Sequence, residues 1–502
     1  MAENFLYLTR PGIDTHQELV VYMRDDCSVC RSEGFDAQGR VQITCGDRSI
    51  IATLNIVKGD FLSHQKAALS EAAWNLLQPK DGEKAYFRHA PTVDSMSHVR
   101  GKLYGKSISQ EGASQIIHDI SKGLYSDIQL SAYVAACAST NLDVDETIHI
   151  TRAMVDVGRR FNWGEGRIIV DKHCVGGLPG NRTTPIVVAI VAANGLVMPK
   201  TSSRAITSPA GTADTMETMT EVNLGFERMR QVVEKEGACL AWGGSVALSP
   251  ADDIIIRVER ALDLDSEGQL VASVISKKVA AGSTHVLIDI PVGPTAKVRS
   301  VEIADRMGAV LTQTGAALGL TVKTMVSDGS QPVGVGIGPA LEARDVMAVL
   351  QNRISAPQDL RQRALTLAAA MLEMGGTCKE GEGMKLATET LDSGRAWQKF
   401  QAICIAQGGL REPPKAAHVH TIVSARNGVV GMLNNRVISR LASLAGAPVA
   451  PAAGVEMHVR LGDIVEKGQP LLSVHAEASG ELEYALDFYS SHEALHIEEE
   501  VV

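Results

Sequence analysis

Arg167-Ile168-Ile169-Val170-Asp171-Lys172-His173-Cys174-Val175-Gly176-Gly177-Leu178-Pro179-Gly180-Asn181-Arg182-Thr183-Thr184-Pro185 runs from a β-type segment through a glycine loop into a helix start. Ile168 to Val170 supply the strand, and the loop carries a cation, Lys172, and an imidazole, His173, followed by Gly176, Gly177 and Gly180. Thr184 stands where an N-cap belongs, Pro185 takes the first helical position, and the apolar run 186–193 stops at Gly195. Strand, glycine loop and helix N-terminus together leave backbone N–H groups unpaired at the positive end of a helix dipole, which suits a phosphate. The stretch reads as phosphate chemistry beside an acid–base group on an α/β fold.

A second segment supports this. Residues 199–212, Pro-Lys-Thr-Ser-Ser-Arg-Ala-Ile-Thr-Ser-Pro-Ala-Gly-Thr, concentrate hydroxyls around two cations. Ser202, Ser203 and Thr212 offer donors to phosphate or ribose oxygens, and Arg204 offers a planar two-pronged contact. Alone, the segment is a solvated loop ahead of the helix near Thr212; beside Lys172 and Gly176-Gly177 it forms the second wall of an anion pocket.

These segments resemble the thymidine/pyrimidine nucleoside phosphorylase family, and more closely its long-chain branch, which includes AMP phosphorylases. Ser249-Pro250-Ala251-Asp252, Ala272-Ser273-Val274-Ile275-Ser276-Lys277-Lys278 and Val292-Gly293 recur in the family's order and spacing. The resemblance covers roughly residues 90–502, with the first ninety matching the long branch only. It implies phosphorolysis of a nucleoside or nucleotide, with phosphate as co-substrate and neither cofactor nor metal. By this resemblance Lys172, Gly176, Gly177, Ser202 and Thr212 bind phosphate and His173 faces the base as proton donor, its pKa near 6.5 if unperturbed. Ser273 and Lys277, four apart on one helix, contact the base edge, with Arg260 as the base-binding arginine. Asp265 and Lys297 match positions of the AMP-using branch, the aspartate as proton donor. Two departures stand out: Cys174 replaces the serine usual in nucleoside-specific members, and the 202–212 loop is Ser/Arg-rich, as in the AMP-using branch. Thymidine phosphorolysis leads, AMP phosphorolysis to ribose 1,5-bisphosphate is its rival, and a non-catalytic ligand-binding relative is a third reading.

Composition agrees with a multidomain enzyme. The 502-residue chain exceeds one hydrophobic core, and its 45% hydrophobic but only 4% aromatic content suits closely packed α/β layers. A net charge of −10 speaks against nonspecific nucleic-acid binding. The run 186–193 is too short to span a bilayer, and no charged segment followed by an apolar one marks a leader, so a cytoplasmic protein is expected. Eight scattered cysteines suggest reduced thiols. Cys27-Ser28-Val29-Cys30 with Cys45 lacks a fourth zinc ligand at suitable spacing and reads as an exposed turn between strands.

The expected architecture is α/β and multidomain. Residues 1–88 form a small β-rich N-terminal module serving assembly; 94–162 with 250–282 form a helical domain. Residues 163–249 with 283–410 form an α/β phosphate-binding domain around a central mixed sheet, and 416–502, past the linker Glu412-Pro413-Pro414, a β-rich α+β domain. Helices open at Ser126-Asp127, at Asp143 and at Ser249-Pro250, and another covers 267–281. Gly334-Val335-Gly336-Ile337-Gly338 has GxGxG spacing and reads as helix-start packing, not a dinucleotide loop. Val465 to Pro470 resembles a turn of biotinyl/lipoyl carriers, but Glu456-Met457-His458 stands where those carry the acceptor lysine. By resemblance the protein is a homodimer or larger homo-oligomer.

Overall fold

The computed structural model describes residues 5–205, 208–262, 264 and 266–498. The chain forms two compact units, Met1–Leu142 with Ile254–Ser266, and Asp143–Asp253 with Glu267–Val502.

In the first unit, β1 (Phe5–Thr9), β2 (Val20–Arg24), α1 (Ser28–Glu33), β3 (Arg40–Cys45), β4 (Arg48–Val57), β5 (Lys66–Leu69), α2 (Glu71–Leu77) and β6 (Lys84–His89) follow one another. The strands close into a barrel in the order β1-β5-β2-β4-β3-β6. Alternation explains closure: Val41, Ile43 and Cys45 of β3 point inward onto Leu6, Leu54 and Phe87. The cysteine motif is not an exposed turn. Cys27 caps α1, its Sγ accepting from the Cys30 N–H at 3.3 Å, and Cys27, Cys30 and Cys45 are buried in the barrel core. All eight cysteines are free thiols. Helices α3 (Met96–Leu103), α4 (Gln110–Ser121) and α5 (Asp127–Ser139) follow in the same unit, α5 opening at Ser126 with a capping box to Gln129.

The second unit begins with α6 (Val144–Val157), then β7 (Val170–Cys174), α7 (Thr183–Ala193), β8 (Met198–Ser202), α8 (Thr212–Glu217), α9 (Phe226–Glu236), β9 (Ala238–Trp242) and α10 (Pro250–Leu262). From Ile254 onward α10 belongs to the first unit. There follow α11 (Glu267–Ala280), β10 (His285–Val292), α12 (Val301–Ala317), β11 (Thr321–Asp328), β12 (Gly336–Ile337), α13 (Pro339–Leu350), α14 (Gln358–Met374), α15 (Gly383–Asp392) and α16 (Arg395–Gln407). The central sheet has the order β11-β10-β7, and an Ile169–Val197 bridge connects it to the β8-β9 pair. Every one of these pairings is parallel, so the sheet is parallel and not mixed, as strand–helix–strand connections require. Helices cover both faces. Val286, Ile288 and Ile290 of β10 pack with Val274 and Ile275 of α11 and Met307 and Leu311 of α12, while Leu287 faces the core built by α7, α13, α14 and α16. Helices α6 and α11 pack against each other and against α12, and all three belong to the second unit.

The C-terminal part holds β13 (His418–Val423), β14 (Gly428–Leu433), α17 (Asn435–Leu444), β15 (Gly454–Met457), β16 (Ile464–Val465), β17 (Pro470–Ala476), α18 (Ser479–Ser491) and β18 (Leu495–Glu498). Its larger sheet, β12-β15-β17-β13, borrows β12 from the GxGxG segment. The N–H groups of Val335 and Gly336 donate to Asp345 and that of Gly334 to Asp359, so donors a dinucleotide would need are already used. Among the described residues no helix is long and apolar enough to cross a membrane.

Helix α6 opens with a complete capping box, Asp143 accepting from the Glu146 N–H at 2.8 Å and Glu146 returning the bond at 3.0 Å. Asp143→Ala is expected to cost about 1 kcal/mol, read as a lower urea-denaturation midpoint at unchanged slope.

Candidate active site

Strand β7 distributes the chemistry. Its neighbour β10 pairs Asp171 with Val286, Lys172 with Leu287, His173 with Ile288 and Cys174 with Asp289. Residues in register on parallel strands share a face, so Lys172 and Cys174 turn toward α7 and α14, and Asp171 and His173 toward α11.

On the α7 side, Lys172 is fully buried. Its Nζ donates to Thr183 Oγ1 at 2.7 Å and lies 3.5 Å from Thr184 Oγ1. That explains a departure from the expected helix start: α7 begins at Thr183 after Arg182, without a side-chain cap, because both threonine hydroxyls are turned to the lysine. Burial pushes the Lys172 ammonium below its ordinary value, against the pull of the Cys174 and Asp289 groups. Cys174, pushed up to about 12 by burial, stays a thiol, and Asn181 donates to its Sγ at 3.3 Å. Gly176 and Gly177 adopt φ of 98° and 78°. At Gly177 a Cβ would lie 2.5 Å from the Lys297 backbone nitrogen, so this glycine is needed for Lys297 to close on the loop.

The 199–212 segment meets the loop through Arg182, which donates to Thr212 Oγ1 at 2.9 Å, to the Ala210 carbonyl at 2.9 Å and to Glu342 at 2.5 Å. Ser202 Oγ is buried and, among the described residues, has no partner, which leaves it open to a ligand. Ser203 is exposed. Arg204 makes its two-pronged contact with Glu217, at 2.5 and 2.8 Å, adds Asp214 at 3.2 Å and lies over the Trp242 ring. The contact expected for an anion is thus made to a carboxylate. Asp214 also accepts from the N–H groups of Ala205 and Gly211.

On the α11 side, Lys277 Nζ bonds Ser273 Oγ at 3.2 Å and pairs with buried Asp252 at 2.5 Å. Beneath His173 lies a buried ionic cluster: Asp171 holds Lys200 at 3.1 Å and Lys278 at 2.9 Å. Burial opposes the Asp171 charge, but the two lysines outweigh it and its pKa is lowered; burial pushes Lys278 down to about 7. His173 is half-buried. Burial, then the charges of Lys278, Lys200, Lys277 and Lys172, holds its imidazole well below the ordinary value. The ordinary value near 6.5 expected for His173 therefore does not hold here: burial and the four lysines disfavour its imidazolium form. Arg260 is exposed near the end of α10, in the first unit. Asp265 lies outside the described residues. For Thr183, Arg182, Asp171, Lys278 and Asp252 the sequence suggested no individual role, and for Lys200 it suggested an anion pocket, not the ion pair with Asp171. The alternation of β7 could have put Asp171 on the His173 face, but nothing along the chain names its lysine partners.

Sequence comparison agrees with this geometry. Residues 166–397 match the glycosyl transferase family a/b domain, residues 97–158 the helical bundle domain of the same family, and residues 429–494 the pyrimidine nucleoside phosphorylase C-terminal domain. A protein of Hahella chejuensis named "Putative thymidine phosphorylase" is 64% identical over 498 residues, covering 99% of this chain and 98% of its own. One from an Acidovorax species, named "Putative thymidine phosphorylase 2", is 62% identical over 487 residues, covering 97% and 95%. The chain belongs to the thymidine/pyrimidine nucleoside phosphorylase family and is a pentosyltransferase. Its fold is shared with anthranilate phosphoribosyltransferase from Thermus thermophilus, at a TM-score of 0.53 and 18% identity, over 62% of this chain and 99% of that one.

The cation cluster makes a checkable statement about His173. Its imidazole signal in proton–carbon NMR is expected to show no titration at 6.5, its ordinary value. Lys278→Met, which removes one of the cations disfavouring the imidazolium, is expected to move the midpoint upward, and Lys278→Arg to leave it low. A wild-type midpoint at the ordinary value would count against a neutral His173.

Proposed function

We propose that this nucleoside phosphorylase acts on thymidine, which with inorganic phosphate gives thymine and 2-deoxy-D-ribose 1-phosphate. The observation that carries the reading is the split of β7: a buried lysine with two helix-start hydroxyls on one face, and on the other an imidazole in the field of Lys277, which bonds Ser273. The relatives' name supplies the nucleoside.

Lys172, the N–H groups around Gly176 and Gly177, Ser202 and Thr212 receive the phosphate. An arriving anion favours the lysine's charged form, so burial that disfavours an unpaired ammonium sharpens selection for an anion. A phosphate oxygen forms the new bond to C1′ as the C1′–N bond breaks, and the electron pair leaves with the base. The negative charge then spreads onto the base carbonyl, where the neutral His173 N–H and the Lys277 ammonium donate hydrogen bonds. Arg260 and Lys297 belong to the substrate side of this reading, and Asp265 is the proton donor implied by the AMP-using branch. A nucleoside is favoured over a nucleotide by the committed donors of the second loop: Arg204 is tied to Glu217 and Asp214, and Asp214 holds the Ala205 and Gly211 N–H groups. We assign the reaction to the cytoplasm and to a homo-oligomer.

Parallel assays with thymidine, uridine, AMP and CMP test the substrate. Thymine release from thymidine is expected to dominate, and base release that requires a 5′-phosphate would overturn the assignment. Lys172→Ala and His173→Ala are each expected to lower kcat/KM by about 10²-fold or more with circular dichroism unchanged. Undiminished turnover in both would locate the chemistry elsewhere.

A further inference from the structure

Arg182 stands where local rules would not put it. It occupies the N-cap of α7, where Ser, Thr, Asp or Asn would accept from an orphan backbone N–H, and its side chain caps nothing. It also sets a cation at the positive end of the helix dipole. What holds it lies outside its own helix. Nε donates to Glu342 at 2.5 Å, Nη1 to Thr212 Oγ1 at 2.9 Å and Nη2 to the Ala210 carbonyl at 2.9 Å. Glu342 is 1% exposed and accepts also from Thr215 Oγ1 and from the Gly338 N–H, each at 3.2 Å.

These contacts separate charge from direction. Glu342 balances the guanidinium, so the charge of Arg182 is already neutralised inside the protein. What the arginine still imposes is orientation, because a rigid fork with an acceptor on each of its three nitrogens has little freedom to turn. A guanidinium only donates. Thr212 Oγ1 must therefore accept from it, and the one proton of the hydroxyl has to be given elsewhere. Among the described residues that proton has no acceptor, and Thr212 is half-buried. The Ala210 carbonyl does not compete for it, since Arg182 Nη2 and Ser208 Oγ, both at 2.9 Å, engage its two lone pairs.

We propose that Arg182 is a positioning residue for the phosphate: it forces the Thr212 hydroxyl to act as a donor, and an oxygen of inorganic phosphate is the acceptor. The inference rests on the assignment of Thr212 to the phosphate and goes beyond it, by giving the polarity of that contact and the residue that sets it. A hydroxyl turned to donate before the anion arrives leaves less to order on binding. Arg182 itself makes no contact with the phosphate, and Glu342 keeps the fork in place.

The test is a double-mutant cycle on the full chain, read as the dissociation constant of inorganic phosphate by titration calorimetry, with circular dichroism as the check of fold. Arg182 is removed in two ways. Arg182→Met together with Glu342→Gln takes out the ion pair as a unit, and Arg182→Lys keeps a cation for Glu342 but gives up the fork. Each is expected to weaken phosphate binding about tenfold, the scale of one hydrogen bond to a charged group, and Thr212→Val alone to do the same. The Arg182 effect should persist with Thr212→Ser, which keeps the hydroxyl, and shrink to less than about twofold with Thr212→Val. A merely structural role, or a direct contact of Arg182 with phosphate, would cost the same in all these backgrounds. An undiminished Arg182 effect with Thr212→Val, or no loss from either Arg182 variant, would overturn the proposal and leave Thr212 at the phosphate. Wild-type phosphate affinity with Thr212→Val would remove Thr212 from the phosphate site and sink both.

Discussion

The period-two alternation of β7 is the constraint on which the site depends. A parallel strand buried on both faces must send consecutive side chains in opposite directions, and here those side chains are Asp171, Lys172, His173 and Cys174. The sheet therefore separates two tasks without any loop having to do so. Lys172 meets the helix that starts at Thr183, the anion site of the proposed reaction, and His173 turns toward α11, which carries Ser273 and Lys277. Glycines complete the arrangement where backbones must touch, as Gly177 does against Lys297 and Gly211 against residues 203–205.

Burying charge at this strand is costly, and the cost marks the site. Each buried ion loses several kcal/mol of solvation, so two lysines sharing one aspartate are a poor way to build a stable core. The Asp171, Lys200 and Lys278 cluster leaves an excess of positive charge next to His173. Such a field disfavours an imidazolium and favours an anion close by, which is what a departing base becomes. Lys172 follows the same logic on the opposite face: hydroxyls hold it, and among the described residues no carboxylate hydrogen-bonds its ammonium.

Much of the architecture was legible in the chain. Ser126 and Asp143 announced their helices through capping boxes, Pro250 opened α10, and strand and helix runs alternated over 165–250 and 280–410. The misreadings have physical causes. The cysteine motif resembled a loop because a six-residue helix leaves little periodicity, yet Cys27 caps it and the barrel buries its thiols. Thr184 resembled an N-cap because local rules do not register that a lysine eleven or twelve residues earlier attracts the hydroxyls of Thr183 and Thr184. Arg204 resembled an anion ligand because its counter-ions, Asp214 and Glu217, come back to it only through the turn of α8.

From the sequence alone came the residues capable of the chemistry, the strand–loop–helix order that presents them, and the family they resemble. These are local properties, fixed by spacing, cap chemistry and side-chain type. Only the tertiary structure decided that the imidazolium form of His173 is disfavoured, that Asp171 is held by Lys200 and Lys278, that Arg182 joins the two loops, and that the sheet is parallel throughout. Each depends on charges or backbones brought together from distant positions, since an electrostatic field sums over neighbours in space and not along the chain.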